Sequence, residues 1–535
     1  MKKIKDPIYG YIDIENEIIN NVIDTDGFQR LRNIIQTSYS PLYASAVHNR
    51  FVHSLGVYHL GILVSESLYM SICELQDIDE SIAKDYVNVF LLACLLHDFG
   101  HAPFSHTGEE FYLDKNSSRE SLHTKLIELT KDEELSKEIK SKNYAAAPHE
   151  LMSAILSLQK FPKMFSSDEH RSFFARCICG YPYTTNGVVY SFLNCLISLL
   201  NSSFIDVDKL DYLIRDAYIT GFDTVSIDYH RLLSSVRIIC KDGLCELVYL
   251  KSAISVIENV VLAHDAERKW IQNHPIVQYD SYLLKHAIEK INERYNVFNF
   301  EALTTTGVRI CDDFTISLLC DGDVLFLMKN IEEDSQIQEY FSRQKRRHPL
   351  WKSESEYKAF FNPVFADNTF TKIEAEFEEL VKYLNFSCNS SEINETSLSI
   401  LEKDLKDNEA LIESFPQKKE KYEKQLSSKR RHLEIIKVFK YYAEEQHIDF
   451  DFVILRANQF NSGFSKIGFE DIKLLFQNLS KPVSFKDITN SLSAKKSERE
   501  KFYYLFYRRN DESSKVDVKP LVIKLGKVIL ESAYE

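Results

Sequence analysis

The segment Asp85–Leu96 constrains this chain more than any other. It is strongly apolar over helical length and stops abruptly at His97-Asp98-Phe99-Gly100, where the glycine reads as a helix break. An adjacent His-Asp pair at a helix end can aim both side chains at one ion, because the backbone turns there. The rest of the chain points the same way. Only 15 glycines and 12 prolines among 535 residues disfavour an all-β chain with many tight turns. With 44% hydrophobic residues a large core can form, and the length implies roughly two to four domains.

Residues 6–14 read as an extended segment with a turn. Asp24-Thr25-Asp26-Gly27 reads as a helix start, with Phe28–Ile35 as the helix. A second helix is expected over about Asn49–Tyr69, with Arg50, His53 and Val57 on one face. Residues 112–147 are polar and charged and read as a loosely packed insertion or lid. Pro148-His149-Glu150 opens another helix, Phe192–Leu200 is apolar, and a further helix runs over Asp208–Ala217. Val236–Tyr249 alternates around Asp242-Gly243, a hairpin signal, and helices resume from Ser252 to about Tyr295. Leu398, Leu401 and Leu405 at helical spacing, the interruption at Pro416 and the charged run Lys418–Lys440 suggest an antiparallel helical hairpin. Beyond Ile448, Phe450–Leu455, Phe502–Tyr507 and Leu521–Leu525 look β-like. The expected fold is mainly α, with small β-hairpins and a C-terminal α+β module. The expected division is 1–330, then a connecting helical region at 331–395, the charged hairpin at 396–445 and the α+β module at 446–535.

The formal net charge of −14 argues against broad, non-specific nucleic-acid binding. The short basic clusters Lys345-Arg346-Arg347 and Lys429-Arg430-Arg431 are weak evidence for it. None of the ten cysteines forms a CxxC pair, and the spacing of Cys177 and Cys179 does not suit zinc. Scattered cysteines and an N-terminus without a secretory core suggest reduced thiols and a cytoplasmic location. The longest apolar run, Val89–Leu96, is too short to span a bilayer, so no membrane partner is expected.

Four residues carry the chemistry: His53, His97, Asp98 and Asp208. Imidazole nitrogen and carboxylate oxygen together suit a divalent transition metal. Each lies in or beside a predicted helix, so a bundle can bring them together. Singly, each has an ordinary structural reading: His53 as a hydrogen-bond partner, His97-Asp98 as a chance dipeptide, Asp208 as a helix cap. The surrounding residues are more specific. Residues 48–57 read HNRFVHSLGV, 96–106 LHDFGHAPFSH and 205–216 IDVDKLDYLIRD.

In this order these blocks resemble the HD-superfamily deoxynucleoside triphosphate (dNTP) triphosphohydrolases, above all those with a SAM domain beside the HD domain. The opening Asp-Pro-Ile-Tyr-Gly and Asp24–Arg32 resemble them too, and the likeness covers roughly residues 2–330. It implies an HD-domain helical bundle with His53, His97, Asp98 and Asp208 as ligands of a divalent ion (Mn, Fe, Zn, Ni or Mg). It implies Arg50 and Lys209 at the phosphates, Tyr212 and Asp216 at the sugar, and Gln36 beside them. His106 would be the proton donor with Glu109 orienting it, and His101 and His149 would be further active-site histidines. Lys2, Asp24, Gln29 and Arg32 match parts of a nucleotide-activator site at a subunit interface, which implies a homo-oligomer. The implied reaction is hydrolysis of a dNTP to deoxynucleoside and tripolyphosphate.

The chain also departs from the pattern. No SAM domain is legible, Tyr9 stands where the family has histidine, and Ala102 replaces a glycine. Residues 264–275 do not align residue by residue with the family's further triphosphate contacts; Arg268, Lys269 and Gln272 are candidates by chemistry alone. Two other readings stay open: an HD phosphohydrolase for another nucleotide, such as an alarmone or cyclic nucleotide, and a non-catalytic nucleotide sensor.

Overall fold

The computed structural model describes residues 1–74, 78–113, 118–142, 144–203, 205–310, 314–331, 333–365, 369–384, 390–414, 419–458, 472–477, 479, 481–489, 501–509 and 516–531. Pro416 lies outside them. Two compact units emerge, each assembled from three stretches of chain. The first comprises Met1–Arg268, Leu284–Asp334 and Asn461–Lys495; the second comprises Lys269–Leu283, Ser335–Phe460 and Lys496–Glu535. The chain thus crosses between units several times, where composition suggested single boundaries near 330, 395 and 445. Strand pairing between distant segments produces this, and local composition cannot report it.

The first unit is mainly helical. Its N-terminal hairpin pairs Lys2–Asp6 with Gly10–Ile14, and Asp6 closes the turn by accepting from the amides of Ile8 and Tyr9. The long helix Arg50–Glu74 crosses the core beside Glu80–Leu96, Val207–Thr220 and Tyr229–Ser234. By length and composition Arg50–Cys73 could cross a membrane, which the search for apolar runs missed. Two-thirds of its most apolar window is buried inside the protein, and its first turn carries the buried Arg50 and His53. Phe28–Ile35 is shorter than expected: an α-helix over Asp26–Arg30 tightens to a 3₁₀ turn at Leu31–Asn33.

The stretch 112–147 is not a loose lid in its described part. Helices Glu120–Thr130 and Glu133–Lys142 bury Leu122, Leu126 and Leu135. Fully buried Arg176 ties this stretch down through Asp132 and Glu138, at 3.1 and 2.6 Å. The hairpin Val236–Lys241/Leu244–Leu250 turns at Asp242-Gly243, both with positive φ, as such a two-residue turn requires. Strands Lys473–Leu475 and Val483–Ser484 extend it to four strands, the former parallel to Leu244–Leu250. Within this hairpin Cys240 and Cys245 face each other in register and are disulfide-bonded, contrary to the expectation of reduced thiols throughout.

The second unit builds an antiparallel sheet in the order His348–Pro349, Lys501–Tyr507, Phe452–Asn458, Ser390–Ile393. Its core includes Trp351, Phe377, Ile436, Phe439, Tyr503 and Leu505. Helices Glu395–Ser414 and Lys419–Gln446 run antiparallel, stitched by Lys440–Glu395, Lys429–Asp404 and Arg430–Glu409. Leu521–Leu525 is helical (Lys519–Gly526), not a strand. Pro520 sits in its first turn, and Leu521, Val522 and Leu525 form a buried helical stripe while Ile523 is exposed.

Gly100 shows why the HD helix ends where it does, and the reason is not a left-handed cap. A Cβ here would lie 2.3 Å from the Ser153 nitrogen and 2.4 Å from the Met152 carbonyl carbon, both backbone atoms of helix Pro148–Lys160. The Gly100 amide also donates to Ser153 Oγ at 2.8 Å. Glycine is needed for close approach. Gly100→Ala is expected to destabilise the protein by about 1–3 kcal/mol through forced backbone displacement, read from the midpoint of urea unfolding; an unchanged midpoint would refute the close-packing argument.

Candidate metal centre and active site

The first turn of Arg50–Glu74, the end of Glu80–Leu96 and the first turn of Val207–Thr220 meet at one point in the first unit. There His53 Nε2 lies 3.2 Å from His97 Nε2, 3.0 Å from Asp208 Oδ1 and 3.5 Å from Asp98 Oδ2. His97 Nε2 lies 3.4 Å from Asp98 Oδ1 and 3.5 Å from Asp208 Oδ1. Donor atoms held about 2.1 Å from a common ion sit roughly 3.0–3.4 Å apart in octahedral or tetrahedral arrangement. His53, His97 and Asp98 offer ligand atoms that lie within 4.8 Å of one another and could hold a divalent ion, and Asp208 Oδ1 approaches both imidazoles.

The electrostatics fit too. Burial disfavours charge on His53, yet Asp208, Asp211 and Asp98 outweigh it and push the ring up to about 9. His97 is raised for the same reason, by Asp98 and Asp208 against burial. Burial opposes ionisation of Asp98 and Asp208, but Arg50 and the histidines hold the first, and His53 and His97 the second, well below the usual carboxylate range. A buried cluster that draws protons onto its imidazoles is a cluster that wants positive charge, and a divalent ion supplies it.

Both imidazoles are oriented from behind. His53 Nδ1 lies 2.7 Å from Asp211 Oδ2, and His97 Nδ1 lies 2.9 Å from the Cys94 carbonyl, so each ring turns Nε2 toward the centre. Asp211 is in turn fixed by Arg215 through two hydrogen bonds (2.9 and 3.0 Å) and by the Tyr9 hydroxyl (2.8 Å), and Arg215 reaches Asp6 at 3.0 Å. Gly56 makes room for this: a Cβ there would lie 1.9 Å from Asp211 Oδ1. The sequence reading missed Asp211 and Arg215. Their signal was present, since Asp208, Asp211 and Arg215 stand at i, i+3 and i+7 on one helix face. Tyr9 has a place in the same network, since its phenol donates to Asp211.

Beside this centre three histidines pack together. The His101 ring stacks on His149 at 4.2 Å and 11°, and both meet His106 edge-on at 5.2 and 5.1 Å. Glu109 joins two of them, with Oε1 3.0 Å from His106 Nδ1 and Oε2 2.5 Å from His149 Nδ1. His106 is 65% exposed on its side chain, so its Nε2 edge is open to a ligand. Burial lowers His149, but Glu109 outweighs it and raises the ring to about 9. His101, wholly buried 3.3 Å from Asp98, is held well below its ordinary value by burial, Arg50 and His149. The loop carrying His106 has Phe104 and Ser105 at positive φ, a strained backbone at the site. Asp321 clamps it by accepting from the Phe104 and Ile35 amides, both at 2.7 Å, and Arg30 braces it through the Phe99 and His101 carbonyls. Burial lifts Asp321 to about 6.

The candidate substrate residues are more committed than expected. Arg50 donates to Asp98 (2.7 Å), Ser105 Oγ (2.9 Å) and the Gln36 carbonyl (3.1 Å), which uses three of its five N–H donors. Lys209 Nζ reaches Asp206 (2.7 Å) and the Ser202 carbonyl (2.9 Å), leaving one donor. Gln36 Oε1 is buried without a hydrogen-bond partner. Tyr212 is half-buried, its hydroxyl pushed up by burial and by the carboxylates of Glu267, Asp208, Asp206 and Asp216. Asp216 lies 2.7 Å from His48 Nε2. Lys2 and Asp24 approach to 3.8 Å at the surface. Arg32 bonds Gln29 (2.8 Å) and covers the Phe51 ring at 3.5 Å.

Comparison with known proteins gives this geometry a family. Residues 50–163 match the HD domain model, a span holding every centre residue except Asp208. The chain is 32% identical over 256 residues to mouse deoxynucleoside triphosphate triphosphohydrolase SAMHD1, covering 46% of this chain and 35% of that protein. It is 30% identical over 264 residues to the uncharacterized protein MG461 of Mycoplasma genitalium (48% of this chain, 53% of that protein), and 26% identical over 298 residues to YwfO of Bacillus subtilis (55% and 57%). The matched stretch spans little more than half the length of these two bacterial relatives and about a third of the mouse protein. A crystal structure of a hypothetical protein from Aquifex aeolicus shares the fold, with a TM-score of 0.51 at 19% identity over 95% of this chain and 96% of that one. The chain therefore carries an HD domain at residues 50–163 and is related to the dNTP triphosphohydrolases over nearly half its length.

Proposed function

We propose that the protein is a metal-dependent dNTP triphosphohydrolase that releases deoxynucleoside and tripolyphosphate. The observation that carries this reading is the placement of the His106–Glu109–His149 array, open to solvent at His106, directly beside the converging His53, His97, Asp98 and Asp208. The likeness to the mouse dNTPase supports the choice of substrate. An ion held by these four residues would supply a water of lowered pKa and polarise a phosphoryl oxygen.

The protein's own groups account for the rest. Water adds to the α-phosphorus, the bond to O5′ breaks, and O5′ takes a proton from His106 Nε2. Glu109 accepts from His106 Nδ1, which aims Nε2 outward and stabilises the protonated ring. His149, raised to about 9 by that same carboxylate, offsets its negative charge beside a polyphosphate. Arg50 and Lys209 retain two and one unused donors for phosphate oxygens, and their charge lowers the cost of bringing a polyanion to a carboxylate-rich pocket. Tyr212 and Asp216 on the same helix face the sugar in this reading, with Gln36 offering its unsatisfied carbonyl oxygen. The Lys2–Asp24 and Gln29–Arg32 surface would take an activating nucleotide in an oligomer. The engagement of Arg50 by Asp98 favours one alternative, a smaller phosphate ester that needs fewer cationic contacts.

Incubation with each dNTP and NTP, singly and in mixtures with Mg2+ or Mn2+, tests substrate and activation together. Deoxynucleoside plus tripolyphosphate is the expected product, and activity confined to mixtures would support an activator. A folded, metal-loaded protein that cleaves no triphosphate would exclude the dNTPase reading. Asp208→Ala is expected to abolish both turnover and metal retention at this centre while keeping the helical circular dichroism; normal turnover would remove Asp208 from the ligand set. His106→Ala is expected to keep the metal and slow turnover by about 10²-fold or more; unchanged kcat would reassign His106 to structure. The pair His149–Glu109 also has a pH signature. Because the folded value is raised, its contribution to stability is complete below about pH 6.5 and disappears as pH rises through about 9. The Tm difference between wild type and His149→Asn should therefore shrink from pH 6 to pH 10, and a constant difference would contradict the ion pair.

A further inference from the structure

The second unit holds another convergence of ligand-type side chains, unrelated to the HD centre. Glu376 and Glu379 stand one turn apart on helix Phe370–Leu384 and present their carboxylates to His432 of Lys419–Gln446. His432 Nε2 lies 3.8 Å from Glu376 Oε2 and 3.8 Å from Glu379 Oε2. One ligand atom from each of the three residues lies within 4.8 Å of the others.

The imidazole is what makes this more than an acidic surface. Its side chain is only 4% exposed, yet neither ring nitrogen has a hydrogen-bond partner. Leaving buried polar nitrogens unsatisfied is costly. The separation of 3.8 Å is too long for a hydrogen bond and exceeds by a few tenths of an ångström the roughly 3.0–3.4 Å between neighbouring donors around an ion with bonds of about 2.1 Å, so the carboxylates close slightly on a bound ion. The neighbours leave the ring-facing oxygen of Glu376 unoccupied and share that of Glu379. Arg431 binds Glu376 through its other oxygen, Oε1. Ser428 Oγ donates to Glu379 Oε2 at 3.1 Å, and one lone pair of that oxygen remains. Burial favours the neutral imidazole, the form with a lone pair to give. Glu379 is 59% exposed, so water can reach and leave the cluster.

We propose that Glu376, Glu379 and His432 bind one divalent transition ion of the Zn2+ class, with solvent completing its coordination. One nitrogen and two carboxylate oxygens suit Zn2+, Co2+ or Mn2+ better than Ca2+, which prefers oxygen alone. The ion joins two helices that are otherwise linked here by the Arg431–Glu376 and Ser428–Glu379 contacts.

Metal counting on the full-length protein tests this, with the HD centre as an internal standard. Protein stripped with chelator, reloaded with Zn2+ and freed of excess ion is analysed by elemental mass spectrometry. Wild type should retain two equivalents, Asp208→Ala one, His432→Ala one and the double variant none. Glu379→Gln, an isosteric change at an exposed position, should lose the same equivalent even if His432→Ala folds poorly. Wild-type counts in both His432→Ala and Glu379→Gln would overturn the proposal, as would a wild type that binds one ion and loses it entirely in Asp208→Ala. A count lowered by His432→Ala and Glu379→Gln but not by Asp208→Ala would keep this site and reject the HD metal assignment instead.

Discussion

The contact on which the active-site geometry depends is the 2.7 Å pairing of His53 Nδ1 with Asp211. A histidine can offer only one nitrogen to a ligand while the other is occupied, so Asp211 decides which face of His53 is available. Asp211 itself is a buried anion and stays ionised because Arg215 is at its side; the carboxyl is held at about 2. Arg215 in turn reaches Asp6 in the N-terminal hairpin, and Tyr9 of the same turn closes on Asp211. The orientation of one ligand thus extends to the first ten residues. Breaking any link leaves a buried charge without its partner, which costs far more than the pairing itself contributes.

A similar logic positions the His101, His106 and His149 array. His106 is exposed and sits on a loop with two left-handed residues, an arrangement that would relax without support. Support comes from three directions: Asp321 at the loop amide, Arg30 at the carbonyls just before it, and Glu109 at the ring. Arg50 links the two halves of the site, since its guanidinium binds Asp98 of the metal set and Ser105 next to His106. A change at Arg50 therefore has three separable consequences, for the metal carboxylate, for the loop and for the phosphate, and loss of activity on its own cannot assign it to substrate binding.

The centre was legible in the sequence because its donors sit in short, dense blocks. His97-Asp98 ends an apolar helix, and His101, His106 and Glu109 follow within twelve residues, so chain connectivity alone keeps them together. What supports those donors was not legible. Asp211 shares a helix face with Asp208, a signal easily passed over, while Arg30 and Asp321 look like ordinary helix charges that only their buried contacts distinguish. Gly100 was read as a helix stop from its position, whereas a neighbouring backbone requires it. The same limit applies to the basic clusters. Arg346 pairs with Asp280, Arg347 with Glu339 and Asp451, and Arg430 and Arg431 with Glu409 and Glu376. Arg347 is paired inside the fold and Arg430 at its surface, so a run of like charges in the sequence is not a run of unpaired charge in the structure. The β-like reading of Leu521–Leu525 failed for a different reason: five residues, four of them apolar, are too few to separate period 2 from period 3.6.

The HD centre and the Glu376–Glu379–His432 cluster differ in a way that bears on how each would bind. At the HD centre every imidazole has its second nitrogen anchored, and the donors stand 3.0–3.5 Å apart, so the site is formed before an ion arrives. At Glu376, Glu379 and His432 the ring has no anchor and the imidazole–carboxylate gaps are 3.8 Å. An ion there must draw in the exposed Glu379 and order it, a cost taken from its binding energy. Affinity should be greater where the orienting partners are in place, and exchange faster where they are absent. Preorganisation, more than the identity of the donors, then separates an ion retained for chemistry from one that responds to metal supply.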